Sequence, residues 1–326
     1  MESVVFSRPA NASASLSHLR SSNIEEHAAG MTGWSLQYNQ LTPGKFSGRL
    51  TVLELEGIQF VRDRVNLALF KSGQARKELL FTFPLHAPCA DFYCAGHQIN
   101  RHSLLVAPSA SLPDLRAPEH IDLLAISVDA TCFTTLFDDA DDRALITPQV
   151  FPLNDPDNLT RWRMLSDSLD EESRRNATLL DFTAIRKGLR DTLLISLSDM
   201  VGHSQALRLT GSAKKRIVDR AQEYMLTHCE NPPSILELCK HAGASRRKLQ
   251  YCFQETLGIN PVSYLRVLRL NGVHRDLLKG APSVQDVAYG WGFWHLSRFA
   301  NDYRRLFGEP PSATLARSRH NCANFG

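Results

Sequence analysis

Two hydrophobic periods divide the chain. From Gly48 to Val128, apolar residues come in short runs rich in Val, Ile, Leu and Phe: Gly48–Leu55, Ile58–Val65, Glu78–Leu85, Ser103–Ala107 and Ile121–Val128. Turn residues punctuate them, at Glu56-Gly57, Lys71-Ser72-Gly73, Pro84, Pro108 and Pro113. Many short runs broken by turn signals predict a β-barrel or sandwich. After Pro156 the period lengthens. Leu159, Trp162, Leu165 and Leu169, then Ile185, Leu189, Leu193, Leu197 and Met200, recur mostly at three or four residues. That spacing puts each set on one helical face and predicts two amphipathic helices joined by the polar Asp170–Thr178 segment. Both stripes suit covering the core of the β-rich part. The Ile185–Met200 stripe also suits pairing with a second copy of the chain, which makes a homodimer an expectation.

Residues 1–30 are small and polar and read as a loose arm. Residues 31–202 then form a sensor or dimerisation domain, β-rich to about residue 155 and helical after it. A linker is expected at 203–213, around His203-Ser204-Gln205 and Thr210-Gly211-Ser212. Residues 214–319 are helical in pattern. The expected fold class is a multidomain α+β protein whose C-terminal domain is all-α.

Composition narrows the class. The chain has 326 residues, 43% hydrophobic and 22% charged, which suits a soluble two-domain protein. No run approaches the ~18 apolar residues of a membrane span, and Met1–Arg20 lacks the apolar core of a secretory signal. The 7 cysteines are scattered and odd in number, so a disulfide framework is not expected and a reducing cytoplasm is. Charge is asymmetric. Residues 1–205 hold 19 Lys and Arg against 25 Asp and Glu, net −6; residues 206–326 hold 18 against 9, net +9. Only the C-terminal third is suited to meet a polyanion.

That third holds two similar units. In the first, Ser234 and Glu237 form a capping box for a short helix. Ala242-Gly243-Ala244 makes a turn, and Ser245 caps a helix from Arg246 to Leu257 that Gly258 ends. Leu249, Cys252, Phe253 and Leu257 face inward, which leaves Arg246, Arg247, Gln250 and Tyr251 outward and Lys248 nearer the edge. In the second, Ser283 precedes Val284-Gln285-Asp286-Val287-Ala288, a Gly290-Trp291-Gly292 turn follows, and a helix runs from about His295 to Leu306. Phe299, Tyr303 and Leu306 face inward; Ser297, Arg298, Asn301 and Arg304 face out. Helix, glycine turn and helix with exposed Arg, Gln and Asn is the helix-turn-helix arrangement. Arg can pair with guanine, and Gln or Asn with adenine, in the major groove. Trp291 and Phe293 suit core packing, while Trp294 has no assigned place.

Residues 214–317 resemble the DNA-binding domain of the AraC/XylS family of transcription regulators. Ala244-Ser245-Arg246-Arg247-Lys248-Leu249-Gln250, Phe253, Leu257-Gly258-Ile259-Asn260-Pro261, Tyr264–Leu270, Val287–Phe293 and Gly308-Glu309-Pro310-Pro311 carry it. Three positions depart from the pattern: His295 for a capping Ser, Gly272 inside the connecting helix, and Thr314 for a Tyr. Trp291–Leu296, Asp302-Tyr303 and Leu41–Gly48 are similar to the family's ethanolamine-operon regulators, which use cobalamin; that ligand is not carried over, and no cofactor is expected. The resemblance implies a cupin-like, effector-sensing or dimerising N-terminal domain and two helix-turn-helix motifs on double-stranded DNA. It also implies RNA polymerase as a partner and, most simply, an activator. Arg246, Arg247, Gln250, Tyr251, Ser297, Arg298 and Asn301 are the candidate base readers. Ser245, Lys248 and Arg304 are the candidate phosphate contacts.

Two other clusters carry metal-binding types of side chain. His86, Cys89, Cys94, His97 and His102 have side chains that suit zinc, but Pro84, Pro88 and Gly96 break the segment and no standard spacing fits; packing is the expectation. The Asp138–Asp142 run lacks the glycine and closing Glu of a calcium loop and reads as solvated. No nucleophile elbow, phosphate loop or zinc-protease motif is present, so an enzyme is not expected. The rivals are a cupin-like metalloenzyme fused to a DNA-binding module, and a ligand-independent regulator whose N-terminal domain holds a protein partner.

Overall fold

Short apolar strands reversed at turns fold the first half into two facing antiparallel sheets. The computed structural model describes residues 14–75, 77–87, 92–132, 147–153, 155–175, 179–202, 206–209 and 211–323. The larger sheet runs, in spatial order, β1 (Ser15–Ser21), β3 (Gly48–Leu55), β4 (Ile58–Val65), β11 (Ile121–Val128), β6 (Leu79–His86), β9 (Ser103–Pro108), β12 (Gln149–Pro152) and β13 (Leu207–Arg208). The smaller runs β2 (Ser35–Gln40), β5 (Leu69–Gln74), β10 (Leu115–Ala117), β7 (Phe92–Cys94) and β8 (His97–Ile99). Gly57, at φ +79°, makes the tight β3–β4 turn that brings Leu55 opposite Ile58.

The larger sheet is covered on both faces. Val61, Leu80, Leu105 and Leu123 face the smaller sheet. Phe60, Phe81, Leu104 and Leu124, one residue along each strand, face α2 (Pro156–Arg175) and α3 (Thr183–Gly202) through Trp162, Leu193 and Leu197. A strand buried on both sides has no polar face, which is why these runs are nearly continuous in apolar residues. The expected strands at Gly48–Leu55, Ile58–Val65 and Ile121–Val128 coincide with β3, β4 and β11.

Three expectations are corrected. The loose arm assigned to residues 1–30 does not describe 15–30. Ser15–Ser21 pairs along β3, and α1 (Ile24–Ala29), capped by Asn23, buries Ile24, His27 and Ala28. β1 is an edge strand, so small polar residues suffice there, and His27 is held by Asp63 at 2.8 Å. The linker at 203–213 is partly structured: Leu207–Arg208 extends the sheet beside Gln149–Val150, Leu209 is buried, and the next helix begins at Ala213. Most of the Ile185–Met200 stripe, all but Ile185 and the half-buried Leu189, is not free to bind a second copy. Leu193, Leu197 and Met200 are spent on the core, and the apolar residues that α3 and its approach leave in water include Phe182, Ile185 and Ile195.

The second half is helical: α4 (Ala213–Thr227), α5 (Ile235–Ala242), α6 (Arg246–Leu257), α7 (Pro261–Leu278), α8 (Val284–Gly290), α9 (Leu296–Phe307) and α10 (Pro311–Ala323). α4–α6 pack around Val218, Met225, Leu249 and Phe253; α8–α10 pack around Val273, Phe299, Tyr303 and Leu306. α7 contributes to both clusters and joins the pairs. Gly272, costly in a helix interior, is required there: a Cβ would lie 2.2 Å from the Trp291 ring.

The halves are docked, not strung apart. Phe70 of β5 meets Tyr264 edge-on and belongs to the α4–α6 cluster. Buried Asn271 of α7 holds both backbone groups of Gln40, accepting from its N–H at 2.8 Å and donating to its carbonyl at 3.0 Å. The Gln40 side chain (2.5 Å) and the Gly44 amide (2.9 Å) both donate to the Leu306 carbonyl at the end of α9.

Candidate nucleic-acid interface

α5 and α6 meet at a turn fixed by three local devices. Ser234 accepts from the Glu237 amide while Glu237 reaches back to the Ser234 amide, closing the capping box. Gly243 takes φ +65°, and the Ala244 amide donates to the Cys239 carbonyl at 3.0 Å. Ser245 then accepts from the Lys248 amide and starts α6. With Leu249, Cys252, Phe253 and Leu257 buried, Arg246, Arg247, Lys248, Gln250 and Tyr251 stand exposed. The Tyr251 ring lies under the Lys214 ammonium, 4.9 Å from its centroid, and Lys214 donates to the hydroxyl at 3.3 Å. That bond pushes the Lys214 pKa up. Lys214 adds a cation to this face that no helix periodicity would have pointed to, since it lies one helix away.

α8 and α9 form the second pair. Ser283 accepts from the Asp286 amide. Gly292, at φ +70°, donates to the Tyr289 carbonyl at 2.8 Å, and the Phe293 amide returns to Ala288 at 2.9 Å. Trp291 donates from its indole to Asp276 at 2.8 Å, and Phe293 packs on Phe299. Arg269 lies over Phe293 and donates to the Trp291 carbonyl at 2.6 Å. His295 occupies the N-cap position without a side-chain cap bond. Ser297, Arg298, Asn301 and Arg304 are exposed on α9, opposite buried Phe299, Tyr303 and Leu306. Thr314 ties the back of this pair together: it accepts from Tyr303 at 2.9 Å and donates to Glu309 at 2.6 Å. All ten candidate DNA-contacting residues, Ser245 among them, therefore lie at the surface, outside the two apolar clusters.

A second feature lies between the two sheets. A cavity of about 60 Å³ is walled by the cross-strand row Tyr38–Lys71–Leu115 on one side and Ala125–Thr82–Leu105 on the other. Asp63 borders it, held by His27, Tyr38 and Lys71 at 2.6–2.8 Å. The ammonium of Lys71 holds the Asp63 carboxyl well below its ordinary range despite full burial. Thr82 is buried and its hydroxyl has no partner among the described residues.

Of the zinc-like cluster, Cys94 is fully buried and burial pushes its thiol up, while His86 is exposed; Cys89 and the Asp138–Asp142 run lie outside the described residues. Among the described residues no three His, Cys, Asp or Glu side chains are grouped to hold a metal, and no helix is long and apolar enough to cross a membrane.

Comparison with known proteins gives a consistent picture. Residues 238–317 match a family model described as a helix-turn-helix domain. The chain is 29% identical over 179 residues to the probable thc operon regulatory protein of Rhodococcus erythropolis, covering 52% of this chain and 54% of that protein. It is 33% identical over 107 residues to the XylDLEGF operon transcriptional activator 2 of Pseudomonas putida, covering 32% of this chain and 68% of that one. The chain thus spans about half the length of the first relative. Among solved structures, a probable AraC family transcriptional regulator from Rhodopseudomonas palustris is 36% identical, with 31% of this chain and 96% of that one covered and a TM-score of 0.30. These relatives are named as regulators of transcription. With two-thirds of the Pseudomonas activator matched at that identity, the chain belongs to the AraC/XylS family of transcription regulators.

Proposed function

We propose that the protein is a sequence-specific, cytoplasmic transcription activator that reads double-stranded DNA with two helix-turn-helix motifs, α5–α6 and α8–α9, and engages RNA polymerase. The observation that carries this is the pairing of two exposed helix faces, each bearing Arg with Gln or Asn, in a half of net charge +9. Arg246, Arg247, Gln250, Tyr251, Ser297, Arg298 and Asn301 are the base readers; Ser245, Lys248 and Arg304 touch phosphate. Held by α7, the two helices read successive major grooves, on the order of 34 Å apart. The test compares Arg247→Ala, Arg298→Ala and Arg304→Ala on single-base variants of a duplex selected by the wild type from a random library. The first two are expected to cost ~1–3 kcal/mol and to relax preference at one base pair each, and the third to weaken all sequences alike. Equal weakening of every sequence by all three would defeat the assignment.

The N-terminal half supplies regulation. Its two facing sheets serve as a cupin-like sensor domain. A small-molecule effector enters between them, supported by the uncommitted Thr82 hydroxyl on the wall of the cavity that Lys71 also lines. A homodimer forms through the exposed Phe182, Ile185 and Ile195, supported by the placement of three apolar residues in water along one helix and its approach. Two variants separate these roles. Phe182→Glu with Ile195→Glu is expected to sediment as a folded monomer, against a dimeric wild type. Ala125→Leu, which fills the space between the sheets, is expected to abolish the effector response at unchanged operator affinity. A monomeric wild type, or a response that survives Ala125→Leu, would remove the corresponding role.

A further inference from the structure

Trp294 is the large side chain of the second turn that the fold leaves in water. It is 61% exposed, whereas Trp291 and Phe293 on either side of Gly292 pack inward. Its ring stacks on Tyr289, with centroids 5.6 Å apart and planes at 25°. Its indole N–H has no acceptor among the described residues. The turn itself has no slack with which to bury the ring. Gly292 sits against Pro232, where a Cβ would come within 2.5 Å, and the Phe293 amide and the Trp291 carbonyl are both engaged. A rigid turn that holds an amphipathic indole outward, braced on Tyr289, presents it to a partner surface.

The occupant follows from what surrounds the ring. Trp294 directly precedes His295, the N-cap residue of α9. There the first-turn amides have no side-chain cap, because His295 makes no cap bond, and they carry the positive end of the helix dipole. Exposed Ser297 and Arg298 stand in that same turn. An open indole N–H, open amides and an arginine at one place all seek an anion, and the half that carries them has net charge +9. A residue ahead of a recognition helix lies at the rim of the groove, where sugar and phosphate pass; base edges are reached by the residues that follow. We propose that Trp294 packs its ring on a deoxyribose at the rim of the groove that α9 enters and donates its indole N–H to a phosphate oxygen. Tyr289 backs the ring and fixes its plane. This contact sets position and affinity, not sequence. It rests on the reading that α9 meets DNA.

The test uses the full chain and the duplex that the wild type selects. Trp294→Ala is expected to weaken binding about tenfold, uniformly across single-base variants of the duplex, with Trp294→Phe intermediate. Thermal unfolding should not change for either variant, since the side chain is exposed. The wild type should show quenching of tryptophan emission on binding DNA, and both variants should lose it, because Trp34 and Trp162 lie in the β-rich half and Trp291, though in the same turn, packs inward. Unchanged affinity in Trp294→Ala overturns the proposal. So does a loss confined to one base pair, which would make the ring a base reader. Loss of transcription at unchanged DNA affinity also overturns it and assigns the ring to a protein. If the wild type selects no duplex at all, the reading of α9 fails along with it; if the wild type binds and only the Trp294 effects are absent, this inference alone fails.

Discussion

The two helix pairs share a plan and are stabilised differently. α5–α6 is secured from within: a capping box at Ser234, a left-handed Gly243 and a Ser245 cap, all within a dozen residues. α8–α9 is secured from outside. Its turn is held by Arg269 and Trp291 against α7, its helix starts on an uncapped His295, and the carbonyl of Leu306 is satisfied by Gln40 and Gly44 of the β-rich half. Short helices are marginal alone, so each must find partners for its end groups. Both pairs have local caps, but the first starts both of its helices on a serine, whereas the second caps only α8 locally, through Ser283, and leans on tertiary neighbours at its turn and at the end of α9. A perturbation of the core should therefore fall on α8–α9, and a perturbation of caps on α5–α6.

Acid gives the largest expected asymmetry. His274 of α7 is buried against Phe307 and hydrogen-bonded to Tyr303 at 2.6 Å, and burial lowers its pKa to about 4. Its folded value lies below the ordinary 6.5, so the unfolded chain takes the proton first. The contribution is fully present above pH 6.5 and is lost as pH falls toward 4, in total roughly 3 kcal/mol. Hydrogen exchange should show α8–α10 opening before α4–α6 as pH is lowered, and the His274 ring signals should stay neutral to about pH 5. Titration of the ring near 6.5 would contradict this.

Gly272→Ala comes next. Helix propensity alone would favour Ala by ~1 kcal/mol, but the Cβ would meet the Trp291 ring at 2.2 Å. Overpacking of this kind costs ~1–3 kcal/mol, so urea melts should show a net loss, and the base pairs read by α9 should suffer more than those read by α6. A stabilised variant would mean that the indole moves aside freely.

The smallest effects concern caps. Ser245→Ala should cost ~1 kcal/mol in urea melts, while His295→Ser should gain up to about the same by supplying the missing acceptor. Equal and opposite signs are not required, but a loss on His295→Ser would show that the histidine has a partner role in the folded chain.

Much of this was legible in the order of residues. Short apolar runs broken by turn residues, against apolar positions three or four apart, separated β3, β4 and β11 from α2 and α3, because a strand buried on both faces and a helix buried on one leave different patterns. The two pairs were legible through Ser234, Gly243, Ser245 and Ser283, whose work is done on amides a few residues away. What escaped was whatever depended on distance. Nothing near Asn271 announces Gln40, 231 residues away. Nothing near Ser15 announces that it completes a sheet edge. The α3 stripe was visible, but which side it faces depends on where the β half lies, and the leftover Phe182, Ile185 and Ile195 emerge only once the core has taken its share. Lys214 beside Tyr251 was likewise hidden, since its partner lies 37 residues on.

The bonds from Gln40 and Gly44 to Leu306 bear on how far this protein can be treated as interchangeable parts. A hybrid that grafts residues 206–326 onto a foreign N-terminal half keeps every residue of both helices proposed to read DNA and still alters one of them. The last turn of α9 arrives with a carbonyl whose two donors stayed behind on the stretch between Gln40 and Gly44. Water can replace them, but it holds the helix end less firmly than two groups set on a sheet. The grafted protein should keep the specificity of α6 and blur that of α9. A working chimera needs either the 40–44 stretch carried along or a substitute donor on the new N-terminal half. The functional border between the halves thus does not coincide with the place where the chain passes from one to the other.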